Sequence, residues 1–301
     1  MAKTMHIPVP KNMNLLIGYQ KENKYRQAFN QLAMNIFDLS FEDWYQAGYW
    51  NDKYIPYTLF TNEQAIANVS VNVIDFDVLG NSMRTIQIGT VMTAKEYRNQ
   101  GLNRLLMEHV LKDWIDAAAF IYLYANQSVL ELYPKFGFNC AHEYVHFGTI
   151  DHLPHGDSTY EKLDMSKQKD RDLLYHRVKH TARYAKIAMH DNNDLVMFYA
   201  TLLLKDNIYY LPAEDVIAIV TVDGETLHLW DVFGSQCIEL DKIIAVIAPQ
   251  SVKEVIFGFT PIDCSPYQVK PLVGEDTLFI KSKQKSILDT EPLMFPLLSH
   301  A

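Results

Sequence analysis

The sequence predicts an α/β (α+β) chain of two domains, a first of residues 1–150 and a smaller second of residues 151–301. Three observations carry this. The first half runs strand, helices, strands, one long amphipathic helix and a buried strand. The pattern lapses into turn-forming residues over 149–158. A new set of helices and strands then gathers around an Asp223-Gly224 hairpin turn. At 301 residues, length itself favours two cores over one.

Residues 14–19 read as an opening strand, and Tyr25, Phe29, Leu32, Ala33 and Ile36 as the apolar stripe of a helix over 25–37. Ser40 is placed to cap a short second helix, whose Glu42-Asp43 suits its positive end. An aromatic-rich loop leads to strands over 57–61 and 65–73, joined by Asn62-Glu63-Gln64. The second strand alternates Ile66, Asn68, Ser70 and Asn72 against Ala67, Val69, Val71 and Val73. Gly80-Asn81 turns the chain into a strand over 84–92. A helix over 102–119 then carries Leu102, Leu105, Leu106, Val110, Trp114, Ala117 and Ala118 on one face. A strand over 120–124 and a short helix ending at Gly137 complete the first half. Beyond the lapse, helices are predicted over 170–180, 194–204 and 240–248, and strands over 216–222, 225–232, 254–259 and 277–280.

Composition narrows the function. Apolar residues at 49% and charged residues at 21% describe a folded chain, neither disordered nor fibrous. A net charge of −9 without a long Lys/Arg block argues against a nucleic-acid surface, which needs a basic footprint. No stretch reaches 18 apolar residues and the N-terminus lacks a signal-peptide run, so a soluble, cytoplasmic protein with no membrane partner is expected. Cys140, Cys237 and Cys264 lie far apart, as reduced thiols do. His152 and His155 sit beside Asp151 and Asp157, but without a partner pair at zinc spacing they read as a solvated hinge, and no metal site is expected. The composition is compatible with a homo-oligomer.

The chemistry concentrates where the strand ending Val91-Met92-Thr93 turns through Arg98-Asn99-Gln100-Gly101 into the long helix at Leu102. A helix N-terminus offers unpaired N–H groups and partial positive charge, and Gly101 lets that backbone approach a ligand. Together they form a pyrophosphate cradle to which Arg98 and Arg104 add charge, or else an ordinary tight turn. There is no G-x-x-x-x-G-K-S/T loop and no G-x-G-x-x-G after a strand, so a nucleotide triphosphatase or dinucleotide enzyme is not indicated. A second signal follows the strand at 120–124, where Asn126 precedes Ser128 and Glu131, a capping box. Pro134 must shorten that helix and Gly137 fits its left-handed end. Tyr133 lies between them, as a core aromatic or a phenol beside a leaving group.

Arg98-Asn99-Gln100-Gly101-Leu102-Asn103 resembles the acetyl-CoA signature of the GCN5-related N-acetyltransferase (GNAT) family: Gln or Arg, two residues, Gly, one residue, Gly or Ala. Asn126, Tyr133 and Gly137-Phe138 resemble the family's later motif, in the family's order. The resemblance spans roughly residues 13–147, about one domain, and departs at Asn103, where the family has a small residue. It implies a mixed, mainly antiparallel sheet flanked by helices. It also implies acetyl-CoA as co-substrate, bound along Val91, Met92, Thr93, the loop 98–104 and Asn126. An N–H near Met92 would polarise the thioester, and Tyr133 would act as general acid toward the departing thiolate. The reaction implied is direct acetyl transfer to a primary amine, a small molecule or peptide, in a ternary complex. A non-catalytic acyl-CoA sensor is the alternative, and longer acyl groups or a hydroxyl acceptor stay open.

No general base stands out; Glu63, Asp75, Asp77 and His109 qualify by type alone. The resemblance places the acceptor against the loop holding Trp50, Asp52 and Tyr54, where aromatic faces beside a carboxylate suit a cation, or simply pack. The second half carries no phosphate loop but repeats the element order, as in a degenerate copy that shapes the acceptor cleft or an interface. The apolar tail from Glu291 must dock, either in the cleft with His300 or the terminal carboxylate near the acceptor, or as an edge against the second core.

Overall fold

The computed structural model describes residues 9–150, 159–283 and 287–300. The elements of the first half are β1 (Asn14–Ile17), α1 (Asn23–Phe37), α2 (Glu42–Gln46), β2 (Tyr54–Thr61), β3 (Gln64–Val78), β4 (Asn81–Thr93), α3 (Leu102–Trp114), β5 (Phe120–Asn126), β6 (Asn139–Cys140) and β7 (Tyr144–Thr149). Those of the second are β8 (Glu161–Lys162), α4 (Gln168–Lys179), β9 (Ile187–His190), α5 (Asn193–Phe198), β10 (Ile208–Leu211), β11 (Val216–Asp223), β12 (Thr226–Gly234), α6 (Leu240–Ile247), β13 (Glu254–Phe257), β14 (Gln268–Pro271) and β15 (Asp276–Ser282).

Two mixed, mainly antiparallel sheets result. The first runs β1-β2-β3-β4-β5-β15-β6, with β9 also pairing β3, and the second runs β14-β7-β13-β12-β11-β10-β8. Each contains one parallel pair, β4 with β5 and β12 with β13. Read from β1 and from β8, the two orders correspond strand for strand, and α3 and α6 occupy the same place between the parallel strands. The chain departs from a simple tandem at one point. β15, from the second half, lies between β5 and β6 of the first sheet, and β7, from the first half, lies between β13 and β14 of the second. A division at residue 150 therefore separates the chain but not the sheets.

The long β3 is buried on both faces because each has something to cover it. Ala67, Val69, Val71 and Val73 pack with Leu102, Leu106, Met107 and Val110 of α3. The opposite face presents Asn68, Ser70 and Asn72, which are buried and hydrogen-bonded. The β2–β3 turn holds Asn62 and Glu63 at positive φ, and the β3–β4 turn Leu79 and Gly80, as tight hairpins require.

Three local expectations change. α3 stops at Trp114 rather than at 119, because the chain must turn to bring the Ala119 N–H to the Arg84 carbonyl at 2.8 Å, beside the start of β5. The short helix before Gly137 is two 3-10 turns, 127–129 and 133–136, because Pro134 lacks the donor that a longer helix needs. Asn126 caps the first of them, not Ser128: its Oδ1 accepts from the Ser128 N–H at 3.0 Å and hydroxyl at 2.6 Å. The histidine-bearing linker, residues 151–158, lies outside the described residues. Among the described residues no helix is long and apolar enough to cross a membrane, the three cysteines are free, and no cluster of three His, Cys, Asp or Glu side chains is arranged to hold a metal.

Candidate functional site

The site begins where β4 and β5 separate. They pair at Ile86 with Ile121, Gln87 with Tyr122 and Ile88 with Leu123, and then part. β4 continues to Thr93 against β3, and β5 to Asn126 against β15. The facing edges of Gly89–Thr93 and Tyr124–Asn126 thus leave backbone groups for a third, extended partner.

A bulge sits at the fork. Asn68 pairs with Met92 and Ser70 with Gly89, so Thr90 and Val91 together face Val69. Thr90 has φ 48, a conformation that a β-branched residue avoids, and side chains hold it there. Asn68 Nδ2 donates to the Thr90 carbonyl at 2.8 Å and to Ser70 Oγ at 2.9 Å. Tyr54 Oη lies 2.7 Å from Thr90 Oγ1, and Thr58 Oγ1 donates to Asn68 Oδ1 at 2.6 Å. The polar stripe of β3 is the support of this strained corner. Backbone outliers held by a buried network cluster at functional sites.

Beyond Thr93 the chain reaches the loop at 98–101. Asn99 and Gly101 take positive φ, 61 and 76, and Gly101 is the N-cap of α3. The first helical bond runs from the Leu105 N–H to the Gly101 carbonyl at 3.0 Å, so the N–H groups of Leu102, Asn103 and Arg104 have no partner inside the helix. Space around Gly101 is open: a Cβ there meets nothing within 4 Å. Arg98, Asn99, Gln100 and Arg104 are exposed, whereas Leu102 is buried beneath the loop. Arg98 Nε donates to the Thr93 carbonyl at 3.3 Å, and Arg104 pairs with Glu108 at 2.8 Å, a surface bond that costs little to release. Asn103 turns away from the loop; its Oδ1 accepts from Thr93 Oγ1 at 2.7 Å and ties helix to strand. A larger residue is tolerated at 103 because it serves this bond.

Tyr133 is 4% exposed, its ring against Phe138 and Phe279 of β15, and no hydrogen-bond partner for its hydroxyl is found among the described residues. Burial pushes its phenol up to about 12, so it stays protonated at neutral pH. That is the state a general acid requires.

Beside Thr90 lies a cavity of about 350 Å³, walled by Tyr54, α2, the α5 region and the tail. Tyr54 lines it, but the other two residues expected of an acceptor site do not. Trp50 is core: it stacks on Trp44, packs with Phe29 and Phe41, and donates from Nε1 to the Tyr54 carbonyl at 3.1 Å. Asp52 faces solvent, where its carboxylate accepts from Gln20 at 3.0 Å. Aromatic rings in that loop satisfy one another. Glu63, Asp75, Asp77 and His109 also lie outside the cavity wall, and the three carboxylates are paired with Lys24, Arg84 and Arg183.

The tail threads between the sheets. Ser299 O accepts from Tyr122 Oη at 3.0 Å, His300 O accepts from Tyr199 Oη, and the Leu297 N–H donates to Gly258 O at 2.8 Å. The His300 ring stacks on Tyr124 at 3.8 Å and forms part of the cavity wall. Its Nε2 is buried without a partner, and burial holds the imidazole down to about 3, hence neutral. The terminal carboxylate lies outside the described residues.

Residues 20–141 match the family model described as an acetyltransferase (GNAT) domain. No curated protein matches the sequence. The fold is similar to that of a probable N-acyltransferase from Enterococcus faecalis V583, itself described as a conserved protein of unknown function. The TM-score is 0.59 at 14% identity, over 90% of this chain and 72% of that one. It is also similar to a GCN5-related N-acetyltransferase from Kribbella flavida (0.55, 15%, 89% and 71%) and to Eis1 from Mycobacterium abscessus (0.54, 12%, 89% and 73%). At such identities the likeness is one of fold.

Proposed function

We propose that the GNAT acetyltransferase domain this chain carries moves an acetyl group from acetyl-CoA to a primary amine by direct attack in a ternary complex. The observation that carries this is the parting of β4 and β5 after Ile88 and Leu123, with the open N-terminus of α3 at Gly101 beyond it. An acyl-CoA has the matching form. Its diphosphate suits the N–H groups of Gly101–Arg104, with Arg98 and Arg104 released from weak bonds to add charge. Its pantetheine amides suit the unpaired edges of Gly89–Thr93 and Tyr124–Asn126.

In the reaction the amine lone pair attacks the thioester carbonyl, the C–S bond breaks, and amide and free thiol result. The proton lost by nitrogen balances the one gained by sulfur. A backbone N–H near Met92, beside the bulge at Thr90–Val91, receives the oxyanion. Tyr133, protonated, supplies the thiolate's proton. The cavity beside Thr90 holds the acceptor, and proximity does much of the remaining work. A non-catalytic acyl-CoA sensor would share the loop and the fork; the Tyr133 hydroxyl, without a hydrogen-bond partner among the described residues, supports the enzyme.

The test has two parts. Calorimetry with CoA is expected to show one site, and thiol release from acetyl-CoA is expected to rise with an amine present. No uptake of CoA at millimolar concentration would remove the proposal; uptake without amine-dependent thiol release would leave the sensor.

A further inference from the structure

Asn68 is fully buried on β3, beside the corner where β4 bulges, and each hydrogen-bonding group of its side chain is used. A carbonyl only accepts, so the atom 2.8 Å from the Thr90 carbonyl is the amide nitrogen, which settles how the amide lies. The second Nδ2 hydrogen goes to Ser70 Oγ at 2.9 Å. Oδ1 accepts from Thr58 Oγ1 at 2.6 Å, which leaves the Thr58 oxygen to accept from the Tyr19 phenol. Three buried side chains thus hold one amide in one orientation.

What that amide holds is a peptide plane. Thr90 has φ 48, unfavourable for a β-branched residue and open to glycine. The peptide between Thr90 and Val91 is trans, so the Val91 N–H points away from the carbonyl that Asn68 grips. The ladder gives the same direction. The Ala94 N–H donates to the Ile66 carbonyl at 2.8 Å, and Met92 pairs with Asn68, so both residues turn their backbone groups toward β3. Val91, one position before Met92, turns its own toward the other edge, where β5 has parted.

Resting on the acetyl-transfer reading, we infer that Asn68 is a positioning residue for that reaction. It holds the Thr90–Val91 peptide so that the Val91 N–H donates to the oxyanion formed on the thioester carbonyl. Amine attack places negative charge on that oxygen, and the charge leaves as the C–S bond breaks, with the N–H unchanged. Asn68 acts only through the peptide, and the strain at Thr90 is why it is needed. Without a donor on the carbonyl, a threonine there relaxes toward negative φ and swings the N–H out of the gap. A merely structural role differs in one respect. The need for Asn68 falls away when residue 90 takes positive φ unaided, as glycine does.

The experiment uses the full chain with acetyl-CoA isotopically labelled at the acetyl carbonyl. Infrared difference spectra read the thioester carbonyl stretch without an amine, so no acceptor need be known. The bound band is expected below that of free acetyl-CoA, as a donated hydrogen bond makes it. Asn68→Ala should return the band at least halfway to the free position, with the CoA dissociation constant changed by less than about twofold. Thr90→Gly added to Asn68→Ala should bring the band back. With an amine, kcat should fall about tenfold or more in Asn68→Ala, KM for acetyl-CoA should hold, and the double variant should recover part of the loss. Thr58→Val keeps its shape but loses one anchor of the amide, so it should move the band the same way by less. It carries the test if Asn68→Ala does not fold. A bound band at the free position, a band unmoved by either single variant, or no recovery in the double variant, with CoA still bound, overturns this inference and leaves acetyl transfer standing. Failure of the unaltered chain to bind CoA overturns both.

Discussion

In the first sheet β4 and β5 pair over three residues and then part around an open gap; in the second, β12 and β13 pair over four, and the backbone just beyond them is hydrogen-bonded. There the Gly258 N–H continues the pairing by donating to Leu229 O at 2.7 Å, and Leu297 of the tail donates to Gly258 O. Even a methyl group at Gly258 would stand 2.7 Å from the Trp230 carbonyl. Both sheets keep the bulge, at Thr90–Val91 in β4 and at Trp230 in β12. The helix ends differ most. α3 starts on a left-handed glycine, whereas α6 starts on Glu239 with Asp241 in its first turn, so the partial positive charge is already met by carboxylates. Strand order and bulge are what the fold needs. The gap and the bare helix end are what the proposed diphosphate thioester would need, and the first half alone has them.

Several experiments break or sharpen this contrast. The largest effect belongs to the exchanged strand: a chain ending at residue 150 lacks β15, leaving the edge of β5 and the apolar Leu278, Phe279 and Ile280 contacts unfilled. It should show no cooperative thermal transition by circular dichroism, and a sharp one would mean the first half folds alone. Next, Tyr133→Phe should lower turnover about a hundredfold, within the usual span for a general acid, with the CoA dissociation constant unchanged by calorimetry. Gly101→Glu strains a left-handed position and sets a carboxylate at the helix end, so CoA affinity should fall about tenfold or more. The reciprocal Glu239→Gly should leave calorimetric stoichiometry at one CoA per chain, because the backbone groups of Gly258 remain bonded to Leu229 and Leu297.

A separate effect is on stability, at Glu143. It is buried where its Oε1 accepts from the Phe295 N–H at 2.8 Å and Tyr124 Oη at 3.2 Å, and burial raises its carboxyl to about 7. The folded state therefore holds this proton more tightly than the unfolded chain does. The penalty of ionising it is absent below the ordinary carboxylate range, grows as pH rises toward 7 and is complete above that. Glu143→Gln should gain up to about 3 kcal/mol at pH 8 and little at pH 4.5. Urea titrations at the two pH values read the difference, and an equal gain at both refutes it.

Much of this was legible in the sequence. The alternation of β3, the turn before α3 and the left-handed end at Gly137 are local signals, each with a local cause. Tyr133 and the loop 98–104 could be placed on the right elements for the same reason. What escaped was set by partners far away in sequence. Residues 277–280 read plainly as a strand, but nothing in them says that their neighbour is β5 rather than β13. The left-handed Thr90 carries no glycine to announce it, because Asn68 and Tyr54 hold it from other strands. Trp50 and Asp52 suggested a cation site by type, yet Trp50 is consumed by the aromatic core. His300 was within reach of the sequence, because an apolar tail must dock and one of the two places open to it set His300 near the acceptor.

The exchange of β7 and β15 has a consequence for how the molecule is made. β5 at residue 120 waits for a partner more than 150 positions later, so a ribosome that has delivered the whole loop at 98–101 has still not delivered a finished sheet. Until the last strand emerges, the nascent first half carries an apolar edge open to any passing strand. Neither sheet can close before both β7 and β15 have been made, so the two halves mature together.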